Sequence, residues 1–179
     1  MAQNLFESIN QDIDNYSINI AKFAAIEIRD RMYDAAINAI DKFYSDYTPG
    51  DHYRANHPEG PSEQPWFYDR TGNLKNSVKK YYKKNYYDNS FTVGIDLSPD
   101  FMEDVYNGSP DLIYYFSIEK GYHGHDAWEG MSPYKPYAVT KPSPLKLIQR
   151  KYNQLQRELE SGKVFDRAEK KARKLSKYI

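Results

Sequence analysis

The chain has 179 residues, which is long enough for one well-buried domain and short for two. Its 25 Lys and Arg balance its 25 Asp and Glu, which argues against a protein dedicated to coating nucleic acid, because such proteins carry a large basic excess. It contains no cysteine, which excludes disulfides, Cys-ligated zinc or iron–sulfur sites and a thiol nucleophile.

The charge is distributed unevenly along the chain. Residues 141–179 contain twelve Lys and Arg against four Asp and Glu, a net charge of +8, whereas residues 1–140 contain thirteen against twenty-one, a net charge of −8. Such a dipolar chain suits contacts in which different surfaces of two identical subunits meet. We therefore interpret the asymmetry as an indication of assembly.

Tyrosine is unusually frequent, with 18 Tyr beside 8 Phe and 2 Trp. A tyrosine ring buries apolar area while its hydroxyl stays hydrated, so tyrosine suits surfaces that other chains partly cover. Codon usage in an AT-rich genome explains the same excess equally well.

No apolar run approaches the ~18 residues of a membrane span. The first residues also lack the basic and then apolar pattern of a secretion signal. We expect a soluble protein with no membrane partner.

The longest periodic segment runs from Ile13 to Tyr47. Its apolar residues recur at three- and four-residue steps without an intervening Pro or Gly, and Pro49 follows. Asp12 and Asp14 lie where a helix N-terminus favours negative charge. The pattern predicts an amphipathic helix of roughly 30 residues and about 45 Å in length.

A loop and a hairpin are predicted next. Residues 48–70 are rich in Pro and Gly without sustained periodicity, which indicates a long loop. Val78–Tyr87 predicts a basic strand, Asp88–Ser90 a turn and Phe91–Ile95 the returning strand.

The second half begins with weaker patterns. Residues 96–111 predict an acidic loop, Leu112–Ile118 a third strand or a short helix, residues 121–136 another loop, and Pro136–Val139 a last strand. An amphipathic helix is predicted beyond them, with a stripe of Leu145, Ile148, Tyr152, Leu155 and Leu159.

The chain closes with a basic helix over Val164–Tyr178, separated from the preceding one by Ser161 and Gly162. The element order predicts an α+β fold, in which a long N-terminal helix and C-terminal helices pack on a small antiparallel β-sheet. We assign residues 1–160 to one domain with long loops at 48–70 and 96–135, and residues 161–179 to a basic helical extension.

The densest group of titratable residues contains His123, His125 and Asp126, and the remaining histidines, His52 and His57, lie in the earlier loop. Two histidines and a carboxylate can bind a divalent metal, but this spacing matches no named metal motif. The alternative is a polar loop at an interface.

Sequence motifs of enzymes are absent. The chain has no Gly-x-Ser-x-Gly and no phosphate-binding Gly-x-x-x-x-Gly-Lys-Ser/Thr. We therefore predict neither catalysis nor a cofactor.

Two basic groups are candidate interfaces. Residues 70–84 contain six bases and no acid, and lysines beside tyrosines on a strand suit phosphates and bases, although lysine also protects an exposed sheet edge from unwanted pairing. The bases of the last helix either are solvated or bind the acidic part of another copy. The candidate interface residues are Arg70, Lys79, Lys80, Tyr81, Tyr82, Lys83, Lys84, Arg167, Lys170, Lys171 and Lys174.

Four short motifs follow the long helix in a fixed order. They are a Thr-Gly-x-Leu-x-x-Ser turn (Thr71, Gly72, Leu74, Ser77), a Val-Gly strand (Val93, Gly94), a Tyr-x-x-x-x-Glu-x-Gly segment (Tyr114, with Tyr115 as a shifted alternative, Glu119, Gly121) and a Pro-aromatic pair (Pro136, Tyr137). Over about residues 14–160 the sequence thereby resembles the small head-to-tail joining and tail-completion proteins of long-tailed bacteriophages, which are often described as minor tail components. The 48–70 loop, the His-rich 121–135 loop and the helix after Gly162 depart from that pattern.

The resemblance implies a structural virion protein of the neck, made in the host bacterial cytoplasm. Such a protein forms a ring at the portal–tail junction, joins head to tail and lines the DNA exit channel. The implied partners are copies of itself, with six-fold symmetry or twelve-fold as the alternative, a portal or adaptor protein, a tail tube or tail terminator protein, and genomic DNA in passage.

Two other readings remain open at the level of sequence. One is a small nucleic-acid-binding or metal-dependent nuclease domain that uses the Lys/Tyr hairpin with His123, His125 and Asp126. The other is a toxin or adaptor that acts on a host protein.

Overall fold

A computed structural model of the chain describes residues 2–46, 73–97, 114–123 and 138–175. Its elements are helix α1 (Ala2–Ser45), helix α2 (Asn73–Asn76), strands β1 (Val78–Lys84) and β2 (Phe91–Leu97), a π-helix (Tyr115–Lys120), strands β3 (Tyr122–His123) and β4 (Ala138–Val139), and helices α3 (Pro144–Glu160) and α4 (Lys163–Leu175). The predicted α+β fold is confirmed, with a long N-terminal helix, C-terminal helices and a small antiparallel sheet of β1 and β2. Among the described residues, no helix combines the length and the apolar character that crossing a membrane requires.

Helix α1 is longer than the sequence pattern predicts. It begins at Ala2, since the residues before Ile13 also lack Gly and Pro and have side chains that helices accept. Asp12 and Asp14 therefore lie within the helix, and the prediction that they stabilise its N-terminus is wrong, because that stabilisation falls off within the first turn.

The chain divides into two compact units. The first unit comprises Met1–Tyr33, Lys80–Ile95 and Lys151–Ile179, and the second comprises Asp34–Lys79 and Asp96–Arg150.

The first unit has a core built from α1 and α4. Ala24 of α1 packs with Val164 and Ala168 of α4, and partly buried apolar residues of α1 surround them: Ile20, Phe23 and Ile28. Positions four residues apart share a helix face, and alanine lets two helix backbones approach closely. The apolar periodicity that predicted these helices therefore also indicates which of their faces are in contact.

The two C-terminal helices are confirmed, but not all of their large apolar residues are buried. Phe165 and Leu175 of α4 are exposed, as are Tyr152 and Leu159 of α3. On α4, Phe165 follows the buried Val164 directly and is therefore rotated about 100° around the helix axis, away from the core face.

In the second unit, the last turns of α1 contribute fully buried residues. Ala36 and Ile40 are fully buried, and so is Ile118 of the π-helix. Leu74 and Val78, which flank the end of α2, are also buried. These positions anchor the short elements that carry most of the sequence motifs.

The hairpin is confirmed, but β1 ends before the predicted Tyr87. The side chain of Asn85 accepts a hydrogen bond from the Tyr87 N–H at 3.1 Å, and that of Asp88 accepts one from the Ser90 N–H at 2.9 Å. Asn89 has a φ of 54°, which asparagine tolerates better than most residues. Side chains that bond to nearby backbone thus turn the chain earlier than the hydrophobic pattern indicates.

The connection predicted over 96–135 contains more regular structure than expected. Residues 96 and 97 belong to β2, and the segment predicted as a third strand or a short helix forms the π-helix. Tyr122 and His123 pair antiparallel with Val139 and Ala138. The last predicted strand is thus present at Ala138–Val139, and Pro136 and Tyr137 lie outside the described residues.

Candidate functional site

Strand β1 carries the predicted Lys/Tyr patch and is exposed on both faces. Only its first residue, Val78, is buried, and Lys84 at its other end is partly covered. Tyr81 and Tyr82 are exposed, and in the following turn the exposed fractions of Tyr86 and Tyr87 reach 81% and 101%. A strand normally buries one face, so β1 presents an unusually accessible aromatic and basic surface.

The two faces of β1 have different surroundings. Lys80 belongs to the face directed at α1: its Nζ donates a 2.9 Å hydrogen bond to Asp30 and lies 4.6 Å from the centre of the Tyr33 ring. Successive strand residues point to opposite sides, so Tyr82 and Lys84 share that face, whereas Lys79, Tyr81 and Lys83 form the other. Lys80 is thus a candidate interface residue that is already engaged within its own chain.

Asp30 connects the hairpin to the helix. Besides Lys80, it accepts hydrogen bonds from Nε and Nη2 of Arg29 at 3.0 and 2.8 Å. Lys80 first, and then Arg29, hold the pKa of the Asp30 carboxyl below its ordinary value. The contact fixes the guanidinium of Arg29 beside the hairpin and leaves it further N–H donors.

A groove of about 430 Å³ lies between the hairpin and α1 in the first unit. We call it the basic groove; its charged and aromatic lining consists of Lys22, Arg29, Tyr82, Lys84, Tyr86 and Phe91. The Tyr82 and Phe91 rings lie 5.8 Å apart, and Lys84 Nζ is 5.0 Å from the centre of the Tyr86 ring. Within the described part of the chain, no carboxylate lines this groove.

A second cluster in the first unit neutralises its own charges. Arg31 donates to both Glu158 oxygens at 2.7 and 3.0 Å, and Arg167 donates to Glu158 at 2.7 Å and to Glu27 at 2.7 Å. Arg31 also lies 3.3 Å from Glu27. The two carboxylates are thus matched by two guanidinium groups, and the cluster is suited to stabilising the unit.

This cluster changes the interpretation of the basic C-terminal helix. Arg167, one of the candidate interface residues, binds acids of its own chain, and Lys171 lies 5.1 Å from the centre of the Phe23 ring. Lys170 and Lys174 are exposed and have no ion pair with any residue that the structure describes. The bases of α4 therefore differ in their freedom to contact a partner.

His123 occupies a buried position in the second unit. Its ring stacks on Phe43 at 3.9 Å between centroids and 13° between planes, and its Nε2 is 2.7 Å from Thr140 Oγ1. With 5% of its surface exposed, His123 is shielded from solvent. This environment matches a structural histidine.

The choice between a metal site and a polar interface loop stays open. His125 and Asp126 lie outside the described residues, as do His52 and His57. Among the residues that the structure does describe, no three His, Asp or Glu side chains come together as metal ligands would.

The first sequence motif forms a buried turn. Leu74 and Ser77 are buried, and the Ser77 hydroxyl donates a 2.7 Å hydrogen bond to the Leu74 carbonyl. Thr71 and Gly72, like Arg70, precede the described residues of this segment. Leu74 and Ser77 of the motif thus form the turn that connects α2 to β1.

The Val-Gly and Tyr-Glu-Gly motifs also lie in ordered elements. Val93 and Gly94 are in β2, where an added Cβ at Gly94 would meet nothing within 4 Å. Tyr114 precedes the π-helix, and burial first, then the charge of Glu119, raises the pKa of its hydroxyl.

Gly121 of the same motif has a stricter requirement. Its φ of 71° is the left-handed conformation, and its N–H bonds to the Phe116 carbonyl to end the π-helix. A Cβ at this position would lie 2.6 Å from the backbone oxygen of Thr140. The position therefore needs glycine both for conformation and for space.

Sequence reasoning missed the α1 side of the basic groove and the partners of Glu158. Lys22 and Arg29 are seven residues apart, two helical turns, and that spacing was a usable signal for a shared face. The pairing of Arg31 with Glu158 spans 127 positions and has no local signal. Thr140 was not singled out either, because a lone threonine near Pro142 carries no motif.

Comparisons with known proteins add no relative: no protein-family model, no curated protein and no solved structure matches this chain.

Proposed function

We propose that this protein is a structural component of the virion of a long-tailed bacteriophage. Copies of it form a ring at the junction of portal and tail, join head to tail and line the channel through which DNA leaves. The observation that carries the proposal is the ordered set of four motifs, from Thr71 to Pro136, between a long helix and the C-terminal helices.

The placement of the described motif residues supports a structural reading of those motifs. Leu74 and Ser77 close a buried turn, and Gly121 ends a helix where no side chain fits. None of these three presents a reactive group to solvent. Motifs of this kind specify a fold, and a ring component acts through its fold and its surfaces.

Exposed residues of the first unit support assembly. Tyr86 and Tyr87 project from the hairpin turn, and tyrosine is enriched in interfaces because its ring is apolar and its hydroxyl finds a partner. Lys170 and Lys174 add positive charge on α4 that the described part of the chain leaves unneutralised. These two lysines are the bases of α4 that we expect to meet an acidic surface of the next copy.

The proposal is tested by the oligomeric state of the full-length protein. Negative-stain electron microscopy and native mass spectrometry should show closed rings, with six-fold symmetry expected and twelve-fold as the alternative. If charge holds the ring together, rising salt dissociates it, because exposed charges are screened.

Charge reversal identifies the surface. Lys170→Glu combined with Lys174→Glu should shift the population from rings to smaller species, whereas Lys146→Glu, an exposed lysine of α3, should leave the rings intact. A protein that stays monomeric at all concentrations and does not bind isolated heads or tails would contradict the proposal.

A further inference from the structure

The basic groove has a linear arrangement of positive charge on its helix side. Lys22 and Arg29 lie on one face of α1, about 10 Å apart along the helix axis at 1.5 Å per residue. Lys84 adds a third positive charge from the hairpin side. Positive charges spread along a groove suit a linear polyanion. A single small anion would instead be bound by basic side chains that converge on one point.

The hairpin side supplies aromatic surface next to these charges. Tyr86 is 81% exposed, Tyr82 is 37% exposed, and Phe91 lies beside Tyr82. Lys84 Nζ sits 5.0 Å from the Tyr86 ring centre, so one ring contacts a cation and still has most of its surface open. Proteins hold unpaired nucleotides in grooves where aromatic rings alternate with basic side chains. The nucleobases stack on the rings, and the phosphates lie near the lysines.

We propose that the basic groove binds single-stranded nucleic acid. The bases of a duplex are already stacked on one another, so a duplex would use the lysines and leave the rings unoccupied. An acidic peptide would likewise satisfy the charges and offer no flat surface for Tyr86. The inference does not rest on the proposed ring, because all six residues named for the groove belong to one unit of one chain.

The two faces of β1 provide matched controls. Lys84 lines the groove, and its neighbour Lys83 points to the other face of the strand. Tyr86 lines the groove, and the adjacent Tyr87 is fully exposed outside it. A non-specific basic surface would not distinguish the members of either pair, whereas the groove does.

The experiment measures fluorescence anisotropy of labelled oligonucleotides with the full-length protein. The probes are a thymidine strand, a uridine strand of the same length and a duplex of that length. We expect both single strands to bind more tightly than the duplex; the relative strength of the DNA and RNA strands identifies the natural source. The logarithm of the binding constant should fall with the logarithm of salt at a slope of about −1.4, from Lys22 and Lys84 at about −0.7 each, because Arg29 is already paired with Asp30.

Variants locate the site. Tyr86→Ala should weaken binding by about 5- to 150-fold, the range of one stacked base, and Tyr87→Ala should not. Lys22→Gln and Lys84→Gln should each weaken binding and reduce the salt slope, and Lys83→Gln should change it little. Lys22 and Tyr86 are exposed, so circular dichroism should show an unchanged fold in these variants.

Three results would overturn the inference. They are failure of the single strands to bind at low salt, equal or tighter binding of the duplex, and equal losses in the groove and control variants. Binding of poly-glutamate with the same dependence on Tyr86, without binding of either oligonucleotide, would assign the groove to an acidic protein partner. Ring formation is measured separately, so failure of one proposal does not mimic failure of the other.

Discussion

Arg31 and Glu158 lie 127 positions apart in the sequence and are joined by two hydrogen bonds, of 2.7 and 3.0 Å, between the guanidinium and both carboxylate oxygens. This bidentate geometry is the strong form of the ion pair, because two parallel bonds fix the orientation of both groups. Within the first unit, it ties the middle of α1 to the end of α3. Arg167 of α4 donates a third hydrogen bond to Glu158, so the carboxylate of this one residue of α3 connects α3 to both α1 and α4.

Acid should weaken the protein through Glu158. Hydrogen bonds from Arg31 and Arg167 lower the pKa of this carboxyl from its ordinary 4.5 to about 2. A carboxyl whose pKa is lowered by folding stabilises the fold at pH values above its pKa in the unfolded chain. That stabilisation is lost as pH falls from about 4.5 towards 2. The urea midpoint should therefore decline over this window, and in Glu158→Gln it should start lower and decline less.

Glu160→Gln is the control for this measurement. Glu160 lies on the same helix and accepts its hydrogen bond from the neutral Gln156. We expect its pH dependence to follow that of the wild type. Parallel curves for the wild type and Glu158→Gln would show that the cluster does not contribute.

Two glycines of the sequence motifs should respond oppositely to alanine. Gly121→Ala places a Cβ 2.6 Å from the Thr140 oxygen at a φ of 71°, and we expect a loss of at least about 1–3 kcal/mol. Gly94→Ala meets open space, and we expect a gain of about 0.4–1 kcal/mol, because alanine restricts the unfolded chain. Urea denaturation of both variants measures the difference; equal losses would contradict the geometry of Gly121.

The buried contact between His123 and Thr140 should be structural. Thr140→Val keeps the shape of the side chain but leaves Nε2 of the buried imidazole without its 2.7 Å partner. We expect a cost of about 1–3 kcal/mol in the free energy of unfolding. Thr92→Val, at an exposed position of β2, is the control and should change little. An unchanged stability in Thr140→Val would remove the structural role of this contact.

On α4 a small side chain should matter more than a large one. Val164 is 0% exposed and packs with Ala24, whereas Phe165 is 43% exposed. We expect Val164→Ala to cost about 2 kcal/mol and Phe165→Ala to cost less than about 1 kcal/mol. Thermal denaturation compares them; the reverse order would mean that Phe165 is covered in solution, for example by another copy.

The elements with regular periodicity were predictable. α1, α3 and α4 follow from apolar steps of three and four residues, and the hairpin follows from two β-rich runs around Asp88–Ser90. Gly162, with a φ of 77°, separates α3 from α4 as the sequence indicated. These signals involve only residues close together in the sequence, so they can be recognised without knowledge of the fold.

The remaining features depend on partners distant in sequence. β3 and β4 have two residues each, too few for an alternating pattern, and they exist because they pair with each other. His123 was only a candidate metal ligand, beside the alternative of a polar interface loop, because a histidine near glycine has the same sequence signature whether it binds an ion or stacks on Phe43. The basic groove needed two elements at once, so the hairpin alone indicated only half of it.

The exposure of β1 on both faces has a consequence for its motions. An isolated two-stranded hairpin is marginal in water, and five of the seven residues of β1, from Lys79 to Lys83, are exposed. Its amides should therefore exchange with deuterium through local opening, well before those of the buried part of α1. A ligand that binds Tyr86 and Lys84 would slow that exchange. Amide exchange in β1 therefore measures whether the basic groove is occupied.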